Sequence, residues 1–250
     1  MNKEIIRGLN GYNIPGLNNL PRGEKMAVII SHGFGSSKES PTALAIAAAL
    51  PEYGIGTYSF DFPAHGESPV DGKELRIGNC LNDLAAVEAH VRKLRPNTEI
   101  AYFSSSFGAY INLVYLATRR HEGKKSFLRC AAVDMPGLFR KEISQEKYSQ
   151  LRKQGYIFLD LGFVQPLKIT REFDDDLQAN DLFKLCRPDM GEIAMIHGDA
   201  DETASVVDAR RFATLFGARL TEIKGADHRI MIPGGRKQVI DAAVYFFKGD

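Results

Sequence analysis

Short apolar runs alternate along this chain with stretches of helical period, and few architectures accept that rhythm. Ala27-Val28-Ile29-Ile30 leads through Ser31-His32-Gly33 into an Ala-rich segment over 41–50. Gly56-Thr57-Tyr58-Ser59-Phe60 alternates as a strand does and stops at Asp61-Phe62-Pro63. Residues 82–94 place Leu84, Val87, Val91 and Leu94 on one helical face. Ile100-Ala101-Tyr102-Phe103 predicts a third strand, feeding straight into a helix over 107–118. Further strands are predicted at Cys130-Ala131-Ala132-Val133, Ile193-Ala194-Met195-Ile196 and Ala218-Arg219-Leu220-Thr221-Glu222-Ile223, with a closing helix over 237–247. Short strands that are apolar throughout must be covered on both faces. The fold class is therefore α/β, a mostly parallel twisted sheet with helices on both sides. Turn residues Gly11, Pro15 and Gly16 suit a small antiparallel extension leading into that sheet.

The rhythm breaks from Gly137 to about Pro188. The sequence there is mixed, charged and helix-leaning, with aromatics at Phe139, Tyr148, Tyr156, Phe158, Phe163 and Phe173. Structureless connections of that length are uncommon in compact domains and are usually functional. Because it lies between two sheet strands, it is expected over the carboxyl edge of the sheet as a cap. The expected division is a core of 1–136 and 190–250 with a cap insertion at 137–189.

Composition narrows the partners. The chain has 250 residues, 44% apolar and 25% charged, enough for one ordinary core. A formal net charge of +1 supplies no global field for nucleic acid or an anionic membrane, so neither is expected as a partner. The short basic clusters Arg119-Arg120 and Lys124-Lys125 suit a solvated face. Three cysteines, Cys80, Cys130 and Cys186, include no CxxC pair, which argues against a disulfide framework or a zinc site; Cys130 and Cys186 suit buried thiols. The first residues carry no apolar signal-like core and no later run is long enough to span a bilayer. A soluble cytoplasmic protein without metal or cofactor is the expectation.

In open α/β sheets the chemistry sits outside the carboxyl ends of the strands. The strand at 100–103 ends in Ser104-Ser105-Ser106-Phe107-Gly108 and enters a helix at once. A nucleophile held on such a tight strand-to-helix turn needs small residues two before and two after it, since the two backbones pass close together. Ser106 has Ser104 and Gly108 at those offsets; Ser105 would have Phe103 and Phe107, and Ser104 would have Tyr102. A serine run capping the next helix is the plainer alternative. Ser106 is the candidate nucleophile.

A serine hydroxyl needs a base. Of the six histidines, His90 and His121 look solvated, whereas His228 lies in a loop after the last predicted strand and before the last helix. An acid must then hold the imidazole tautomer. The candidates are Asp199 and Asp201 after the penultimate strand, Asp134 and Asp227: Asp201 leads, Asp134, which ends an earlier predicted strand, stays a rival, and Asp227 is too close in sequence to His228 to pair well through Nδ1. Backbone N–H groups of Phe107 and of Phe34, in Ser31-His32-Gly33-Phe34-Gly35, are the candidate oxyanion donors. His32 suits a structural hydrogen bond holding that turn. No phosphate-binding pattern accompanies the glycines.

Five ordered blocks carry a resemblance: His32-Gly33-Phe34-Gly35, Asp61-Phe62-Pro63-Ala64-His65-Gly66-Glu67-Ser68, Ser104-x-Ser106-x-Gly108, His197-Gly198-x-x-Asp201 and Gly225-Ala226-Asp227-His228. Together the chain resembles the α/β-hydrolase superfamily, most nearly small bacterial carboxylesterases of the feruloyl or cinnamoyl esterase type. The resemblance implies hydrolysis of a small-molecule carboxylic ester through an acyl-enzyme, without a cofactor, with Asp201 as the acid and Asp61 and His65-Gly66 as scaffold. Two departures are Ser104, where glycine is usual, and Glu202-Thr203 in place of a frequent valine–proline pair. An aromatic or medium acyl group is the expected substrate. The same residues also admit amide, thioester or C–C bond hydrolysis, or a ligand-binding or signalling protein on a hydrolase scaffold.

Overall fold

Alternation along the strands decides which helices cover which face. In the strand at 26–31, Ala27 and Ile29 belong to one buried cluster while Met26, Val28 and Ile30 belong to another, as expected when successive side chains point to opposite faces. The computed structural model describes residues 1–160 and 166–249. Its strands are β1 (Asn2–Arg7), β2 (Asn13–Asn19), β3 (Met26–Ser31), β4 (Ile55–Phe60), β5 (Glu99–Ser105), β6 (Lys125–Arg129), β7 (Tyr156–Leu159), β8 (Leu167–Thr170), β9 (Glu192–Gly198) and β10 (Arg219–Ile223). Eight of them form one sheet in the order β1-β2-β4-β3-β5-β6-β9-β10. From β4 to β10 neighbours run parallel, and β2 is antiparallel to both β1 and β4.

The helices are α1 (Pro41–Ala49), α2 (Ile77–Leu94), α3 (Phe107–Thr118), α4 (Met135–Glu142), α5 (Gln145–Gln154), α6 (Arg171–Ala179), α7 (Leu182–Leu185), α8 (Val206–Phe216) and α9 (Gly235–Lys248). Buried residues of α2, α3 and α8 share the cluster of Ala27 and Ile29, whereas α1 and α9 cover the opposite face. There Phe246 and Phe247 of α9 pack on Phe127 of β6. Each such buried aromatic is worth about 1.5–3 kcal/mol.

Two elements differ from the sequence expectation by more than two residues at an end. Helix α2 begins a turn early, at Ile77, because Ile77, Cys80 and Leu81 prolong its buried stripe. The predicted strand at 130–133 is instead β6 at Lys125–Arg129. Its polar Ser126 and Arg129 are buried and disguise it from hydropathy. Cys130 takes φ +44 and turns the chain away, so the apolar 130–133 run is buried as an irregular stretch below the site.

Between β6 and β9 the described residues form α4, α5, the β7–β8 hairpin, α6 and α7, so this segment is more regular than its sequence suggests. Phe163 lies outside the described residues. Arg76, just before α2, donates to both carboxylate oxygens of Asp176 in α6 at 2.7 and 2.8 Å, and Asp176 also accepts the Ile77 N–H at 3.1 Å. The insertion is thus tied to an orphan amide at the start of a core helix. Phe139 and Phe173 point inward and are buried, while Tyr156 and Phe158 are exposed.

Candidate active site

Strand β5 delivers Ser106 to the sheet edge on a turn that few residues tolerate. Ser106 has φ 51 and ψ −114, outside the regions open to ordinary L-residues. What holds it there is backbone pairing: its N–H donates to Arg129 O at 2.9 Å, and its carbonyl accepts Tyr110 N–H at 3.1 Å and Ala132 N–H at 3.3 Å. The small neighbours are needed. A Cβ on Gly108 would run into the His32 carbonyl and come within 2.6 Å of Ser31 O. Ser104 is fully buried.

His228 Nε2 lies 3.0 Å from Ser106 Oγ, and His228 Nδ1 lies 2.7 Å from Asp201 Oδ2. The other oxygen of Asp201 accepts the N–H groups of Thr203 at 2.9 Å and Ala204 at 2.8 Å. Burial pushes the Asp201 carboxyl up, but hydrogen bonds from His197 and His228 outweigh it and hold the group well below the usual carboxylate range. An ionised Asp201 can only accept, so the proton of neutral His228 sits on Nδ1 and its Nε2 lone pair faces the serine.

Asp134 is elsewhere. The strand it was expected to end stops at Arg129, and Asp134 caps α4, accepting Gly137 N–H at 3.1 Å. Its carboxylate therefore serves a helix end, and the imidazole's partner is Asp201.

A residue that sequence reasoning passed over is His197. Buried at the end of β9, its Nε2 lies 2.9 Å from Ala204 O and 3.1 Å from Asp201 Oδ2, so one N–H serves both. The signal was its place four residues before Asp201 in the same block. Cys130, a buried thiol as its sequence context suggests, lies at the site: its Sγ, an Asp201 oxygen and a His228 nitrogen all lie within 4.8 Å of one another. Burial pushes the Cys130 thiol up to about 12, so it stays a protonated, weakly nucleophilic thiol beside the carboxylate.

The loop after β3 closes the other side of Ser106. A Cβ on Gly33 would sit 3.4 Å from Ser106 Cβ, so the Gly33–Phe34 backbone passes beside Ser106. His32 fixes this loop: its Nδ1 donates to Gly33 O at 2.8 Å and its Nε2 accepts Phe62 N–H at 3.2 Å. Burial lowers His32 to about 4, which keeps the ring neutral and able to do both. His65, also buried and lowered to about 3, chiefly by burial, bonds Pro63 O at 2.8 Å through Nδ1. Asp61 binds the Lys38 N–H and ammonium and the Glu67 N–H, a scaffold role. His90 and His121 are less solvated than expected, with His90 on Glu4 at 3.2 Å and His121 on Gly123 O at 3.0 Å.

A cavity of about 1530 Å³ opens on Ser106 and His228, with Phe34, Phe107, Met135, Leu138 and Phe139 among its walls. The rings of Phe34 and Phe107 meet at 5.4 Å, and the insertion adds Phe139 to this aromatic wall, with the buried Phe173 packed on Phe34 at 5.9 Å and on Phe139 at 5.8 Å.

Sheet order, strained serine and hydrogen-bonded relay together define an α/β hydrolase. The chain belongs to the serine aminopeptidase S33 family, whose model matches residues 23–176. Among solved structures, Est1E of Butyrivibrio proteoclasticus, with ferulic acid bound, is similar at 19% identity over 98% of each chain, with a TM-score of 0.80. Mouse alpha/beta hydrolase domain-containing protein 10 is similar at 16% identity over 97% of each chain, TM-score 0.76. The esterase EaEST of Exiguobacterium antarcticum shares 17% identity over 98% of this chain and 99% of its own, TM-score 0.72. At these identities the likeness is one of fold. No curated protein matches the chain significantly. No helix among the described residues is long and apolar enough to cross a membrane.

Proposed function

We propose that this protein is a serine esterase that cleaves small-molecule carboxylic esters through an acyl-enzyme at Ser106. The observation that carries the reading is the unbroken path from Ser106 Oγ to His228 Nε2, 3.0 Å, and from His228 Nδ1 to Asp201, 2.7 Å, at a serine with positive φ. His228 takes the hydroxyl proton as Oγ bonds to the ester carbonyl carbon. The N–H groups of Phe34 and Phe107 hold the resulting oxyanion. Collapse breaks the carbon–oxygen bond to the alcohol, which leaves with the proton from His228. Water then repeats the sequence and frees the acid. The aromatic wall around the cavity suits an aromatic or medium acyl group, and Est1E, of the same fold, was solved with ferulic acid bound. We read 137–189 as the cap that selects it. Three buried thiols without a disulfide suit a reducing cytoplasm.

The test is acylation. Wild type should release a burst of 4-nitrophenol from 4-nitrophenyl butyrate and be labelled by a fluorophosphonate, and Ser106→Ala should do neither. A full burst from Ser106→Ala would overturn the assignment. The family's description as serine aminopeptidases favours peptide-bond cleavage as a second reading. Turnover of aminoacyl-4-nitroanilides exceeding that of any ester would establish it instead.

A further inference from the structure

Arg129 ends β6 with its side chain on the α1/α9 face of the sheet, the face of Phe127 two residues before it. It is 8% exposed. A guanidinium carries five donors and stays charged. Here one of them, at Nη2, donates to the His228 carbonyl at 3.0 Å, and among the described residues no carboxylate pairs with the group. Buried charges are ordinarily paired, because an uncompensated one is costly to desolvate. Arg129 also lines the cavity that opens on Ser106, so a bound molecule can reach it.

The surroundings on that side favour an anion. The first turns of α1, at Ser40 and Pro41, and of α9, at Arg236, line the same cavity. Helix N-termini carry partial positive charge. The acids that also line the cavity, Glu142, Glu202 and Asp227, leave Arg129 unpaired. Asp227 spends an oxygen on Met231 N–H.

We propose that Arg129 binds a carboxylate of the substrate, and that the preferred substrates are esters carrying a second, ionised carboxyl group. The inference rests on the esterase reading and names the substrate class of that site. A planar fork suits a carboxylate. The tether from Arg129 to the His228 carbonyl places that carboxylate beside the base without using the base's ring nitrogens.

Matched ester pairs test it. Mono-4-nitrophenyl esters of succinate, glutarate and adipate are compared with their methyl-capped diesters for a carboxylate on the acyl side, and 4-acetoxybenzoate with its methyl ester for the alcohol side. Wild type should favour at least one carboxylate-bearing ester by about tenfold in kcat/KM, the scale of a charge-assisted contact. Arg129→Gln should bring that ratio close to one, and Arg129→Lys should keep part of it. If Arg129→Gln does not fold, Arg129→Lys and competitive inhibition of wild type by glutarate, but not by dimethyl glutarate, carry the test. Equal rates on every pair in wild type overturn the inference and leave the esterase reading standing. An equal fall on both members of a pair in Arg129→Gln means the residue is only a tether for the His228 loop, and also overturns it. Failure to cleave any ester, despite fluorophosphonate labelling at Ser106, overturns both readings.

Discussion

Replacing Asp201 with Asn changes one atom and should cost about 10³–10⁴ in kcat. Thr203 and Ala204 N–H groups, at 2.9 and 2.8 Å, fix the acceptor end of the side chain, so the new amide oxygen must stay there. Its NH₂ then takes the place of Oδ2, where it meets His228 Nδ1 at 2.7 Å and the His197 Nε2–H at 3.1 Å. Donor faces donor. His228 escapes by moving its proton to Nε2, and that nitrogen then presents N–H to Ser106 and cannot take its proton. In serine proteases the same wrong-tautomer change costs about 10⁴ in kcat, or about 5 kcal/mol at 1.36 kcal/mol per decade. KM should move less than about threefold, since the Asp201 side chain is buried behind the imidazole and touches no substrate. Asp134→Asn is the control: asparagine caps a helix as well as aspartate does, so kcat should stay within about twofold. Steady-state hydrolysis of 4-nitrophenyl acetate, normalised by active-site titration, measures both. An Asp201→Asn enzyme keeping more than a tenth of wild-type kcat, or an equal loss in Asp134→Asn, would refute the tautomer argument.

Gly108→Ala should lower stability by at least about 2 kcal/mol in urea unfolding and remove the acylation burst, because its Cβ would lie 2.6 Å from Ser31 O and the neighbours are backbone; a variant with wild-type stability and a full burst contradicts this. Asp83 is fully buried in α2, and burial, opposed by bonds from Tyr12 and Asn10, pushes its carboxyl up to about 7. An unfolded aspartate loses its proton near pH 4, so the folded state's advantage is full below about pH 4, falls as pH rises to about 7, and is flat above. The difference amounts to as much as about 4 kcal/mol. Asp83→Asn should therefore gain stability over wild type at pH 8 relative to pH 4, and equal melting shifts at the two pH values would count against the buried carboxyl.

Several parts of this protein were legible as a string. The alternation of apolar runs and helical stretches dictated the sheet, since such strands must be buried on both faces. Ser106 was distinguishable from Ser104 and Ser105 because the elbow's steric rule is local, and Gly108 and Ser104 satisfy it. His228 followed from chain order. Other features depended on partners distant in sequence. Buried polar residues hid β6 from hydropathy, which misplaced the strand, obscured Arg129 and made Asp134 look like a strand-end acid. Arg76 and Asp176, which tie the insertion to α2, are 100 residues apart.

By itself, then, the sequence determined the layered α/β architecture and singled out Ser106 and His228 as the candidate nucleophile and base, because steric spacing and burial periodicity are properties of neighbouring residues. The tertiary structure alone decided that Asp201 and not Asp134 takes the imidazole, that His197 supports Asp201, and that Arg129 faces the cavity beside Ser106. A carboxylate's partner or a guanidinium's surroundings are set by groups that meet across space, and the packing of the whole sheet edge brings them there.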